Sequence, residues 1–239
     1  MHLSTTRTAV LLFSLPAHLD AYRKRLARGG TARNFAFWKT MQQLTLAKVQ
    51  AAGLPCVQST MLVPSMNYDL SFGEQLQQAI SATLAQGYDR VIVIGNDCAD
   101  LRVSDLRTAA DAMARGELPV GYDKRGGVFL FGANAHIQKP ECAADFVNLP
   151  WQTAQLGAAL TNLLRQSLGK VTSLSAIRTD WNSKADIRVG SWLSGAFAWL
   201  ARQLWTLLGQ VSVALIKPVL SYISFTGCIG TLRAPPITY

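Results

Sequence analysis

The chain has 239 residues, and 49% of them are hydrophobic, which is enough to bury a sizeable core and excludes intrinsic disorder as the default state. Its formal net charge of +9 is unevenly placed: up to residue 60, Arg7, Arg23, Lys24, Arg25, Arg28, Arg33, Lys39 and Lys48 face only Asp20. Such clustering fits an anionic partner or a solvated basic face, but no zinc finger, helix-turn-helix or aromatic RNA-binding motif accompanies it, so nucleic acid is not expected.

Thr8 to Leu15 is an apolar run bounded by Pro16 and reads as a first core strand. It also has the length of a short secretory segment. Cys56, Cys98, Cys142 and Cys228 lie far apart without a CxxC pair, however, and reduced thiols in a cytoplasmic protein are the simplest account. Ala17 to Arg28 carries Arg23-Lys24-Arg25 in a helical or loop segment that ends at Gly29-Gly30. From Asn34 to Ala52, apolar residues recur at three and four up to Gly53 and Pro55, the stop signals of a long helix. Leu54 to Val63 reads as a second strand. Ser71 with Glu74 three residues on has capping-box spacing, and Leu76, Ile80 and Leu84 supply the apolar face of the helix that follows.

Val91-Ile92-Val93-Ile94 is an unbroken β-branched run, as expected of a strand buried on both faces of a parallel sheet. Gly95, which permits a tight or positive-φ turn, leads into Asn96, Asp97 and Asp100. In open α/β sheets ligands sit beyond the carboxyl ends of the strands, and paired carboxylates there suit a hard divalent cation shared with phosphate. The alternative is that Asp97 caps the next helix, at about 103–115, and that Asp100 is solvated.

Leu118 to Gly132 reads as two strand pieces around Gly126-Gly127, glycines that serve either a close backbone approach or a plain hairpin turn. Trp151-Gln152-Thr153 is expected to open a helix through Leu168 with Thr153 as N-cap, and Val171 to Leu174 is a further strand. Asp180 to Ile187 reads as a polar loop with a helix start. Strand and helix thus alternate from residue 8 to 189, which predicts an α/β domain over 1–189 with a mainly parallel sheet.

Residues 190–216 carry only Arg202 as a charge. Leu193, Phe197, Leu200, Leu204, Leu207, Val211 and Leu215 repeat at three and four, the pattern of a one-sided helix packed on the domain or on a second copy in a homodimer. A membrane-surface contact is the alternative; a bilayer span would place Arg202 in lipid at about 2.5–3.5 kcal/mol. Lys217-Pro218 closes that helix, and residues 190–239 are expected to form a C-terminal apolar helical extension with a Pro-containing tail.

Five blocks in order resemble a bacterial family of GT-A-fold transferases, often labelled selenodomain-associated transferase or family A glycosyltransferase. They are Phe72-Gly-Glu-Gln75, Gly95-Asn-Asp-Cys-Ala-Asp-Leu101, Arg125-Gly-Gly-Val-Phe-Leu-Phe-Gly132, Trp151-Gln-Thr153 and Asp180-Trp-Asn-Ser-Lys-Ala-Asp-Ile187. The resemblance implies a three-layer α/β/α nucleotide-diphospho-sugar transferase fold with a mainly parallel mixed sheet. It also implies a transferase with a nucleotide or nucleotide-sugar donor, by glycosyl or nucleotidyl transfer. In the related molybdenum-cofactor guanylyltransferases and sugar-1-phosphate nucleotidyltransferases, the positions of Asp97 and Asn182 hold Mg²⁺ against the donor phosphates, so Mg²⁺ or Mn²⁺ is expected here.

By the same resemblance Arg23 and Arg25 grip phosphate, and Gly95, Asn96, Gly126 and Gly127 line the donor site. Asp100 and Asp123 join Asp97 as catalytic candidates, and Asp180 is a substrate-side candidate. Two positions depart from the pattern. Arg125 replaces the acid of the family's Asp-Gly-Gly, with Asp123 two residues away as its substitute, and the glycine of the N-terminal nucleotide-wrapping motif is missing. These departures motivate a second expectation, a degenerate fold member that binds a nucleotide or a partner protein without turnover.

Overall fold

The computed structural model describes residues 7–62, 69–187, 190 and 193–209. Its sheet has six strands: β1 (Thr8–Leu12), β2 (Cys56–Gln58), β3 (Arg90–Ile94), β4 (Leu118–Tyr122), β5 (Val128–Asn134) and β6 (Val171–Ser173), in the order β2-β1-β3-β5-β4-β6. The β1/β2, β1/β3 and β4/β6 pairs are parallel, and β5 runs antiparallel to both β3 and β4. The expected three-layer α/β/α arrangement with a mainly parallel mixed sheet is therefore formed.

The helices are α1 (Ala17–Arg23), α2 (Thr31–Ala52), α3 (Ser59–Leu62), α4 (Phe72–Leu84), α5 (Val103–Ala114), α6 (Pro140–Val147), α7 (Leu156–Leu168) and α8 (Ala198–Leu207). One group packs α2 against α5, and another joins α4, α6 and α7 in series. Val91 to Ile94 are fully or almost fully buried between the layers, as their β-branched run implied.

Local chemistry sets several boundaries. Ser71 caps α4 as a capping box: its hydroxyl accepts from the Glu74 backbone N–H at 3.3 Å, and Glu74 Oε2 accepts from the Ser71 N–H at 2.8 Å. Gly53 ends α2 in the left-handed conformation at φ 78°.

Other expectations need correction. The strand read over 54–63 stops at Gln58, because Ser59 turns into α3. Its buried hydroxyl accepts from the Ser14 N–H at 3.1 Å and donates to the Ser14 carbonyl at 3.0 Å, pulling the chain off the sheet edge. Val63 lies outside the described residues. The helix expected from Trp151 starts only at Leu156; Thr153 instead accepts from the Gln155 N–H at 3.3 Å and donates to the Pro150 carbonyl at 2.7 Å within a turn. Helix α6, with proline in its first turn, is an addition to the sequence reading.

The core has two parts. One surrounds the sheet, and the other gathers Phe37, Trp38, Met41 and Leu44 of α2 with Trp181, Leu193, Leu200, Ala201, Leu204 and Leu208. The apolar edge of the C-terminal segment thus packs on α2, while Trp199 remains 65% exposed. As a continuous helix over 190–216 the expectation was too long: α8 spans Ala198–Leu207, and 210–216, the tail and Cys228 lie outside the described residues. Among the described residues no helix is long and apolar enough to cross a membrane.

Candidate functional site

A cleft of about 900 Å³ opens where β1, β3 and β4 end and β5 begins. Register puts these ends together: Leu12 pairs with Ile94, Ile94 with Leu130, and Tyr122 with Val128. One part of the lining is aromatic, with Phe13, Phe72, Phe129 and Trp151; Phe72 stands 5.4 Å from both Phe13 and Trp151 between ring centroids. Another part is polar and carries Asp20, Arg23, Lys24, Asn96, Asp97, Asp123, Arg125, Asp180 and Asn182.

Asp97 and Asn182 meet through a backbone bond. The Trp181 N–H donates to the Asp97 carbonyl at 2.9 Å, which sets the segment after β6 against the turn after β3. Trp181 itself is buried and lies nearly parallel to Phe37, at 20° and 6.4 Å. Between the two side chains stands a cation: Lys24 Nζ pairs with Asp97 Oδ2 and donates to Asn182 Oδ1 at 3.0 Å.

Lys24 ends α1 with extended backbone at φ −123° and ψ 93°, and this turn sends its side chain into the cleft. Arg25, the next residue, does not line this cleft; its guanidinium lies over the Tyr22 ring at 5.8 Å, and the residue lines a second pocket that Gly29 and Gly30 also line. Of the expected basic pair, Arg23 reaches the cleft and Arg25 does not. Lys24 was missed because a run of three cations cannot show which one the helix end will turn inward.

The acidic groups crowd one another. Burial and the nearby Asp97 push the Asp20 carboxyl up to about 6, although it accepts from the Asn96 side-chain amide at 3.3 Å. Burial, Asp97 and Asp123 push Asp180 up to about 8. The polar wall carries four carboxyls, Asp20, Asp97, Asp123 and Asp180, against three basic side chains, Arg23, Lys24 and Arg125. Asp20 was not read from the sequence as a site residue, since a single acid in a basic segment carries no motif.

The remaining expected residues hold the walls. Asp123 lines the cleft, but its Oδ1 accepts from the Arg125 N–H at 2.8 Å and the Gly127 N–H at 2.7 Å, closing the β4–β5 turn. Arg125 pairs with Asp186 at 3.2 Å and donates to the Asp180 carbonyl at 2.9 Å, so it braces the loop that carries Asn182. Gly127 lines the cleft and Gly126 does not. A Cβ on Gly126, at φ 87°, would stand 2.3 Å from the Ala154 carbonyl oxygen, so its close approach is to the protein's own chain.

Gly95 lines the cleft without a positive φ, which leaves the tight turn of the two alternatives, and a Cβ there would meet nothing nearer than 3.9 Å. Asp100 lies behind the cleft, where it accepts from the Thr179 N–H and the Cys98 thiol, each at 3.3 Å. Neither acid caps α5 as its N-cap residue, which is Arg102. Two further features face the cleft. Gln152 has φ 64°, the only positive value among the described non-glycine residues, and Ser14 Oγ is buried without a hydrogen-bond partner. Strained backbone and orphaned polar atoms gather at ligand sites.

The structure is similar to that of a candidate nucleotide-diphospho-sugar transferase from Desulfovibrio desulfuricans G20. The two share 16% identity with a TM-score of 0.64 over 86% of this chain and 98% of that one. Looser likenesses are to Rv0371c from Mycobacterium tuberculosis H37Rv in complex with manganese (13% identity, TM-score 0.42, 77% and 96% coverage) and a hypothetical transferase from Thermus thermophilus (18%, 0.42, 76% and 99%). The Desulfovibrio likeness bears on the fold alone and agrees with the GT-A type. No curated protein matches the chain. A family profile described as an uncharacterised protein conserved in bacteria matches residues 33–153, from the first turn of α2 to the Trp151-Gln152-Thr153 turn, and the chain therefore belongs to that family, DUF2064.

Proposed function

We propose that the chain is a transferase that takes a nucleotide-activated donor, a nucleotide or nucleotide sugar, and transfers its glycosyl or nucleotidyl group with Mg²⁺ or Mn²⁺. The carrying observation is that Asp97 and Asn182 converge on a single cation at the carboxyl edge of the sheet. Their carboxylate and amide oxygens are hard donors, and the wall around them carries the carboxyls of Asp20, Asp97, Asp123 and Asp180 against the basic groups of Arg23, Lys24 and Arg125. Among the described residues no cluster of three His, Cys, Asp or Glu is arranged for a metal. Two protein oxygens suit Mg²⁺, which takes its other ligands from phosphate and water.

Bound there, the ion would neutralise charge on the donor's phosphates and on the leaving group. The chain's own residues do the rest. Arg23 offers a guanidinium to phosphate, and the Phe13, Phe72 and Trp151 rings form an apolar wall for a flat or hydrophobic group. Asp123 and Arg125 keep the turn and the Asn182 loop in place.

A thermal-shift panel of nucleotides and nucleotide sugars with and without Mn²⁺ tests this, since a ligand of the native state raises the melting temperature. A metal-dependent shift with at least one donor is expected, and its absence across the panel would refute the proposal. A second reading, binding without turnover, is favoured by Arg125: a brace occupies the position where the resembling family has an acid. Metal-dependent hydrolysis of the donor that binds separates the two.

A further inference from the structure

We propose that Lys24 is a displaceable internal cation that keeps free metal out of the site and admits it only together with a phosphate-bearing ligand. The proposal deepens the assignment of Asp97 and Asn182 as metal ligands and rests on it. The Lys24 ammonium pairs with Asp97 Oδ2 and donates to Asn182 Oδ1 at 3.0 Å. A divalent ion held by those two oxygens would lie about 2.0–2.1 Å from each. Ammonium and ion therefore exclude each other.

The backbone of Lys24 is anchored, while its side chain is partly open to the cleft. Its carbonyl accepts from the Trp38 indole N–H at 3.0 Å, and its ammonium lies 5.7 Å from the centroid of that ring. Trp38 is fully buried, whereas the Lys24 side chain is 28% exposed on a stem of four carbons. The ammonium can thus swing into the cleft without disturbing the helix end.

The consequence depends on what receives the displaced ammonium. When metal arrives alone, the ammonium loses both of its acceptors, Asp97 Oδ2 and Asn182 Oδ1. Arg125 is bound to Asp186 and the Asp180 carbonyl and does not compensate. A diphosphate, by contrast, brings its own oxygens to the ammonium. Lys24 then couples metal and phosphate binding positively, and the coupling is reciprocal.

The test is a Mn²⁺ titration followed by electron paramagnetic resonance, with Mn²⁺ alone and with inorganic pyrophosphate. It is run on the full chain and on Lys24→Met, Lys24→Gln and Lys24→Met/Asp97→Asn, with circular-dichroism melts to verify folding. The parent is expected to bind Mn²⁺ alone weakly and with pyrophosphate at least about tenfold more tightly, within the usual range of couplings between sites. Lys24→Met and Lys24→Gln should bind Mn²⁺ alone at least about tenfold more tightly than the parent and lose most of the pyrophosphate dependence. The double variant should lose the gain, which locates it at Asp97. Equal affinity of parent and both single variants for Mn²⁺ alone would overturn the proposal and leave the metal ligands standing. No Mn²⁺ uptake by any protein, with or without pyrophosphate, would overturn both.

Discussion

Asp97 combines two demands that a substitution separates. After burial, the main cause, its carboxylate is what raises the pKa values of Asp20 and Asp180, and its ion pair with Lys24 is about a quarter exposed on each side. Asp97→Asn relieves the first and loses the second, so stability should change by no more than about 1 kcal/mol, the scale of exposed pairs. Metal-dependent nucleotide affinity should fall by at least about tenfold, or roughly 1.4 kcal/mol, by calorimetry. Lys48 makes a different residue-scale prediction. Its buried ammonium donates to the Ala99 carbonyl at 2.6 Å, and burial lowers its pKa to about 8, against the raising effects of Cys98 and Asp100. Between pH 8 and about 10.5 the unfolded chain then binds more protons than the native one, so this residue makes stability rise with pH across that window. Below pH 8 the cost of the buried charge is fully present. Melts of Lys48→Met should lack this rise relative to the parent.

At the scale of elements, α4 shows how a motif serves packing as well as chemistry. The Ser71–Glu74 capping box closes its first turn, and Ser71→Ala should cost about 1 kcal/mol in urea unfolding. Gly73, inside the Phe72-Gly-Glu block, is packed against the protein's own chain: a Cβ there would lie 2.1 Å from the Val147 carbonyl oxygen and 2.6 Å from Trp151 Nε1. Gly73→Ala should therefore cost about 1–3 kcal/mol, because backbone must move to admit one methyl group. Since Trp151 is also part of the aromatic wall, the same variant should perturb its fluorescence.

Across the whole molecule, the C-terminal segment and the polar end of the cleft share a core. Leu200, Ala201 and Leu204 of α8 are buried with Phe37 and Trp38 of α2 and with Trp181, whose N–H holds Asp97 against the Asn182 loop. Leu204 is fully buried, so Leu204→Ala should cost about 2–5 kcal/mol. It should also weaken metal-nucleotide binding at a temperature where the variant remains folded, measured by calorimetry beside a melt. Unchanged affinity would show that the loop is held independently of α8.

The sequence by itself determined the features whose causes are local. Val91 to Ile94 declared a doubly buried strand, Ser71 and Glu74 placed a helix start, Gly53 placed a helix end, and the alternation of elements implied the layered α/β fold. It also put Asp97 and Asn182 forward together, through block order rather than spacing. Tertiary structure decided the rest. Whether Arg23, Lys24 or Arg25 enters the cleft depends on where α1 stops, and whether Ser59 continues a strand depends on the Ser14 backbone, 45 residues away. Arg125 looked like a missing acid, yet its guanidinium is engaged by Asp186 and the Asp180 carbonyl, which only the fold brings within reach. Charges crowd or neutralise one another through space, so the raised carboxyls of Asp20 and Asp180 and the cation between Asp97 and Asn182 exist only once the chain has brought distant segments together.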